Sequence, residues 1–203
     1  MKEFGSAVIL AGGKSSRMKF DKQFLEIGKI RLIDNIINQL KWEFEEIIIV
    51  TNKPEYYLEF SQKVVSDEIK QKGPLSGIHI GLKESSSKYV YFVACDMPII
   101  NINYVKYMKY KIKDKNVSAC VTKSSDWVEP FNAFYSRDII NDVENHLLEG
   151  KRSVFSLLKK LNTFYIEERC ARKFSPNWDM FFNLNTKEDL INYLKLIGNE
   201  LNG

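Results

Sequence analysis

Four short stretches of the 203-residue chain carry residue types that can do chemistry. The first reads Leu10-Ala11-Gly12-Gly13-Lys14-Ser15-Ser16-Arg17-Met18, followed by Asp21-Lys22. Paired glycines let a backbone approach a ligand closely and turn N–H groups towards phosphate oxygens. Lys14, Arg17 and Lys22 add three cations within nine residues. Gly13-Lys14-Ser15 has the form of a P-loop tail, but the position that motif needs for its first glycine holds Val8. A dinucleotide-type G-x-G-x-x-G is absent as well. Gly-Gly alone would be a common turn after a strand; the cations beside it point to polyphosphate.

The second stretch is Cys95-Asp96-Met97-Pro98. A carboxylate at the C-terminal tip of a buried strand suits a hard cation such as Mg²⁺ next to phosphates. An Asp capping a turn ahead of proline is the equal alternative. The third is Asp67 with Gly73-Pro74-Leu75-Ser76-Gly77. Gly73 and Gly77 would permit close approach at a helix N-terminus, a natural contact for an anion or a base, or they serve loop geometry alone. The fourth is Phe182-Asn183-Leu184-Asn185-Thr186. Asparagines at alternate positions of an extended segment face the same way, and each offers donor and acceptor groups to a heterocycle or to metal-bound water. Asn185 or Thr186 can equally cap the following helix.

The chemistry this set could perform needs no base. When a phosphate oxygen attacks an α-phosphorus, the nucleophile is already ionised near neutral pH. Catalysis then consists of positioning and charge neutralisation. The histidine content agrees: His79 and His146 are the only two, and neither stands in the context of a Ser-His or Cys-His nucleophile.

Those loops must be held by regular elements. Residues 4–10 form a short apolar run ending at the glycines, expected as a buried strand. Ile47-Ile48-Ile49-Val50 and residues 89–94 are continuous apolar runs of the kind buried on both faces in a parallel sheet. Val64-Val65 is a brief strand ending near Asp67, and residues 117–121 and 131–135 are further candidates. Helices are expected over residues 30–42, 74–82, 103–111, 138–148, 153–161 and 186–197. Ser153 is the expected N-cap of one of them, and Thr186-Lys187-Glu188-Asp189 resembles a capping box. Strands alternating with helices imply an α/β fold: a single Rossmann-like domain over residues 1–203, its mostly parallel sheet covered by helices on both faces. In such sheets ligands bind beyond the C-terminal strand ends, where the loops after Leu10, Val50, Val65 and Ala94 fall.

Composition sets the outer bounds. The chain is 44% hydrophobic and 28% charged, which excludes a disordered chain. A net charge of +4 suits a small polyanion but is too weak for a protein that coats nucleic acid. No apolar run reaches the length of a membrane span or of a signal-peptide core. Three dispersed cysteines, Cys95, Cys120 and Cys170, give no disulfide framework and fit a reduced, cytoplasmic setting.

Taken in order, L-A-G-G-K-S-S-R-M…D-K, D…G-P-L-S-G, C-D-M-P and N-L-N-T resemble the molybdenum cofactor guanylyltransferase family across essentially the whole chain. The resemblance implies a nucleotidyltransferase fold and the transfer of GMP from GTP to molybdopterin, with pyrophosphate released and Mg²⁺ as cofactor. It implies that Leu10, Ala11 and Gly12 contact the nucleotide and that Gly13 and Arg17 hold phosphates. Lys22 would neutralise the α-phosphate, and Asn52 and Asp67 would contact the nucleoside. Asp96 would bind Mg²⁺, and Asn183 and Asn185 would lie on the molybdopterin side. Arg17, Lys22 and Asp96 are the catalytic candidates. The implied partners are the two small-molecule substrates, with room for a cofactor-delivery protein or a molybdoenzyme, and neither nucleic acid nor membrane. The chain departs from the family where Lys19-Phe20 stands in place of its usual glycine. Rival readings are a CTP-using enzyme of the same pathway, whose members more often read L-A-A-G, a sugar-1-phosphate nucleotidyltransferase, and a non-catalytic GTP-binding carrier.

Overall fold

The computed structural model describes residues 1–12, 26–27, 30–69 and 73–200. In chain order the elements are β1 (Ser6–Leu10), β2 (Glu26–Ile27), β3 (Ile30–Arg31), α1 (Leu32–Leu40), β4 (Glu46–Val50), β5 (Lys63–Val65), α2 (Pro74–Glu84) and β6 (Tyr89–Ala94). They continue with α3 (Ile102–Ile112), β7 (Ala119–Ser124), β8 (Trp127–Ser136), α4 (Ile140–Leu148), α5 (Val154–Leu158), β9 (Thr163–Glu167), α6 (Glu168–Ala171) and α7 (Lys187–Glu200).

Seven strands form one sheet in the order β5-β4-β1-β6-β8-β7-β9, and β2 pairs separately with β3. Within the large sheet only β8 runs against its neighbours. The strands are apolar on both faces because both faces are covered. Alternate residues of β1 divide between two cores: Ala7 and Ile9 pack with Ile33, Ile36 and Leu40 of α1 and Tyr104, Val105 and Met108 of α3. Val8 and Leu10 pack with Leu75, Ile78 and Leu82 of α2, Val143 and Leu147 of α4, and Leu157 and Leu158 of α5. The period of 2 in the strands thus meets the 3.6 period of a helix on each side. A third, smaller cluster of Leu32, Leu184 and Tyr193 docks α7 against the start of α1, where Asn35 Nδ2 donates to Tyr193 Oη at 3.0 Å.

Caps match the sequence where the sequence is explicit. Ser153 Oγ accepts from Ser156 N–H at the start of α5. Thr186 Oγ1 accepts from Asp189 N–H at 3.1 Å while Asp189 Oδ2 accepts from Thr186 N–H at 2.7 Å, a capping box closed by Asp. Several expected elements shift their bounds, among them the strand expected over 117–121, which is Ala119–Ser124. The helix expected over residues 30–42 starts only at Leu32, because Ile30–Arg31 pair as β3. The helix expected over 153–161 stops at Leu158, because the chain must turn into β9, a strand the apolar pattern did not announce. The strand expected over 131–135 extends to Trp127–Ser136 and contains a bulge. Among the described residues no helix is long and apolar enough to cross a membrane.

Candidate active site

Strand register brings the separated motifs together. Leu10 is level with Val50 on one side and Ala94 on the other, and Val50 is level with Val65. The ladder runs one residue further in each direction: Ala11 N–H donates to Val50 O at 2.8 Å, Cys95 N–H to Leu10 O at 3.0 Å, and Thr51 N–H to Val65 O at 2.9 Å. Four strands therefore end on one line. Gly12, Asn52, Asp67 and Asp96, up to 84 residues apart in sequence, all follow that line by two residues.

Beyond it lies a cleft of about 930 Å³. Its walls include Leu10, Ala11, Gly12, Asn52, Asp67, Gly73, Gly77, Asp96 and Asn183 from the sequence-based set. At the β4/β5 end, Asn52 Nδ2 donates to Asp67 Oδ2 at 2.9 Å. Burial raises the Asp67 carboxyl above its ordinary pKa, and the Asn52 hydrogen bond offsets that only in part. The start of α2 forms the adjoining wall. Gly73 has φ of 74°, a conformation costly for any side chain, and Pro74 opens the helix directly after it. Gly77 lies so close to β1 that an added Cβ would stand 2.8 Å from Leu10 Cδ2.

Nearer the centre, beyond β6, Asp96 O accepts from Leu184 N–H at 2.8 Å, which ties the asparagine loop to the tip of β6. Asn183 lines the cleft, its Nδ2 held by Phe181 O at 2.9 Å. Asn185 does not line it. It is exposed, and its N–H donates to Asp189 Oδ2 of the α7 cap at 2.9 Å. Gly13, Arg17 and Lys22, with Lys14, Lys19 and Asp21, lie outside the described residues.

The profile of the MobA-like NTP transferase domain matches residues 7–164. The chain belongs to the MobA-like NTP transferase family. It is 56% identical over 187 residues to a protein of Syntrophotalea carbinolica named molybdenum cofactor guanylyltransferase, covering 92% of this chain and 89% of the relative. A Peptoclostridium acidaminophilum protein named probable molybdenum cofactor guanylyltransferase is 51% identical, covering 98% of this chain and 92% of the relative. The crystal structure of molybdopterin-guanine dinucleotide biosynthesis protein A from Archaeoglobus fulgidus shares the fold, with a TM-score of 0.85, 23% identity and coverage of 96% and 99%.

In this MobA-like chain the cleft also has walls that the sequence motifs did not indicate: Lys53, Phe131 and Arg152. Arg152 sits in the turn between α4 and α5, after Gly150 at φ 77°; the cationic pair Lys151-Arg152 was its only signal in the sequence. Phe131 follows Pro130 inside β8, and a proline within a central strand marks a bulge. Among the described residues no three His, Cys, Asp or Glu side chains cluster to hold a metal.

Proposed function

We propose that this MobA-like protein is a molybdenum cofactor guanylyltransferase that transfers GMP from GTP to the terminal phosphate of molybdopterin and releases pyrophosphate. The observation that carries the reading is the level ending of β1, β4, β5 and β6, which puts Asp67 with Asn52 at one end of a single cleft and Asp96 nearer its centre. The 56% identical relative bears the same activity in its name.

Guanine presents N1–H and its N2 amino group side by side, two donors that one carboxylate accepts as a fork. Cytosine places acceptors beside its single amino donor, so its edge would meet Asp67 with one bond and a repulsion. Asn52 holds the Asp67 carboxylate in orientation. The backbone of Gly12 and Gly13 and the cations Arg17 and Lys22 receive the triphosphate, with Ala11 N–H kept in the sheet by Val50 O. A phosphate oxygen of the acceptor forms the new bond to the α-phosphorus, and the bond from that phosphorus to the oxygen bridging towards the β-phosphate breaks. The attacking oxygen carries no proton at neutral pH, so no side chain has to remove one. What the protein supplies is alignment and the neutralisation of charge on the α-phosphate and on the departing pyrophosphate.

Asp96 fits a divalent cation. Mg²⁺ is commonly held by one or two carboxylates, with substrate phosphates and water filling its other positions. Asp96 is a half-exposed carboxylate at a strand tip in a cleft sized for a nucleotide. Bound there, Mg²⁺ would supply positive charge to the phosphate oxygens. Cys95, Cys120 and Cys170 form no disulfide with one another, which suits a reduced, cytoplasmic setting, and a cofactor-delivery protein or a molybdoenzyme would take the product.

The test is turnover of purified protein with molybdopterin, Mg²⁺ and either GTP or CTP. Formation of the guanine dinucleotide with one pyrophosphate per product, well above the CTP rate, is expected. Equal or better use of CTP would move the protein to the cytidylyl branch, and GTP binding without pyrophosphate release would make it a carrier.

A further inference from the structure

Between Cys120 and Thr122 on β7, the facing partner on β8 jumps from Phe134 to Glu129, so residues 130–133 leave the β7 ladder, while Ala133 still pairs with Phe92 of β6. Asn132 within the bulge has φ of 56°, in the left-handed region that non-glycine residues seldom occupy. Three hydrogen bonds, two of them buried, hold this conformation. Tyr91 Oη donates to Asn132 Oδ1, Asn132 Nδ2 donates to Met180 O at 3.2 Å, and Tyr135 Oη donates to Pro130 O at 2.6 Å. Burial pushes the Tyr91 hydroxyl pKa up, so it remains a donor. Strained backbone persists only where its surroundings over-determine it, and it concentrates at functional sites. Here its effect is to deliver Phe131 to the cleft wall.

The ring of Phe131 differs from its neighbours. Phe134, three residues on, meets Phe4 edge-on and tilts against Phe44 and Tyr91, whereas Phe131, half-buried beside both cores, enters no ring pair among the described residues. Strand order fixes its place in the cleft. β8 lies beside β6 and its Asp96, on the side away from β1, whereas Asn52 and Asp67 follow β4 and β5 on the opposite side. With strands about 4.8 Å apart, β8 stands roughly 14 Å from β4, too far to reach a base seated at Asp67.

Taking the guanylyltransferase reading as given, we propose that Phe131 is the stacking platform for the planar aminopyrimidinone ring of the acceptor's pterin, and that the Asn132 bulge is the device that presents it. A flat heteroaromatic ring finds on a phenylalanine face what an aliphatic side chain cannot offer. Phe131 would accordingly select for a pterin-bearing phosphate over a phosphate on an aliphatic or sugar body.

Phe131→Leu keeps the apolar packing and removes the aromatic face. In steady-state assays with both substrates varied, Phe131→Leu should raise KM for molybdopterin about tenfold, the loss expected for one stacking face, while KM for GTP and the melting temperature stay at wild-type values. Phe131→Tyr should restore the molybdopterin KM. An unchanged molybdopterin KM in Phe131→Leu, or a rise in both KM values together, would overturn the proposal and leave Phe131 as packing. Failure of the wild-type protein to form any guanine dinucleotide would instead bring down the activity on which the proposal rests, so the two failures are told apart.

Discussion

Burial holds the Asp67 carboxyl above its ordinary value of 3.8, so its charged form is less favourable in the folded chain than in the unfolded one. Stability from this residue is present in acid and lost as the pH rises from the unfolded value through the raised one. Asp67→Asn removes that cost and can still pair with Asn52 through its side-chain oxygen. The expected outcome is a modest rise in the melting temperature of the nucleotide-free protein at neutral pH, with guanine recognition lost. Guanosine, which has no phosphate to titrate, tests the recognition directly. Its affinity should fall as acid protonates Asp67, at a pH above that of an unperturbed aspartate, and the affinity of Asp67→Asn should be low and flat with pH. Asp96→Asn asks a different question, since it keeps the shape and removes one charge. Turnover should fall by about a hundredfold or more, with thermal stability close to wild type. Near-normal turnover at low Mg²⁺ would dismiss the metal role.

At the scale of an element, α2 packs on the sheet through glycines. A Cβ at Gly77 meets the mobile end of Leu10, which itself lines the cleft. Gly77→Ala should therefore push Leu10 into the nucleotide's space and weaken GTP binding more than it weakens the fold. Isothermal titration and thermal melting of the same variant separate the two effects. At Gly81 a Cβ would lie 2.7 Å from the buried Phe92 ring, where the displaced atoms have no cleft to enter, so Gly81→Ala should chiefly lower stability. The opposite, N-terminal end of the strands offers a pH test. Burial would raise Glu46, but hydrogen bonds from the Ser6 hydroxyl and from Ser86 N–H and Oγ, with the charge of Lys63, outweigh it and lower its pKa. The stabilisation is complete above the ordinary value of 4.5 and is lost as the pH falls from there through the lowered one. Glu46→Gln should cost about 1 kcal/mol in urea unfolding at neutral pH, and its gap from wild type should narrow in acid.

For the whole molecule, a ligand that binds only the folded state raises stability by mass action. GTP with Mg²⁺ at about a hundred times its Kd should add about 2.7 kcal/mol, a shift of roughly 5–10 °C for a chain of this size. CTP at the same concentration should shift melting far less. The residues that fix such binding were legible in the sequence to unequal degrees. L-A-G-G, C-D-M-P and G-P-L-S-G mark strand ends and a helix start through glycine, proline and continuous apolar runs, which are local signals. Of the two asparagines of N-L-N-T, read as facing one way, Asn183 lines the cleft, and Asn185 is exposed with its N–H in the α7 cap.

The sequence by itself determined the alternation of strand and helix, the two-sided burial of β1, β4 and β6, and the caps at Ser153 and Thr186. Each of these follows from interactions between residues within a few positions of one another. Only the tertiary structure decided which strand ends lie level, because the register of β1 pairs it with residues 40 and 84 positions away. It alone paired Asn52 with Asp67 and drew the Asn183 loop to Asp96. It alone decided that Phe131 reaches the cleft. Pro130 announces an irregular strand, but the direction of the bulge depends on Tyr91 and Met180, whose bonds to Asn132 span 41 and 48 residues. Long-range hydrogen bonds and register carry no local periodicity, so they become visible only once the chain has folded.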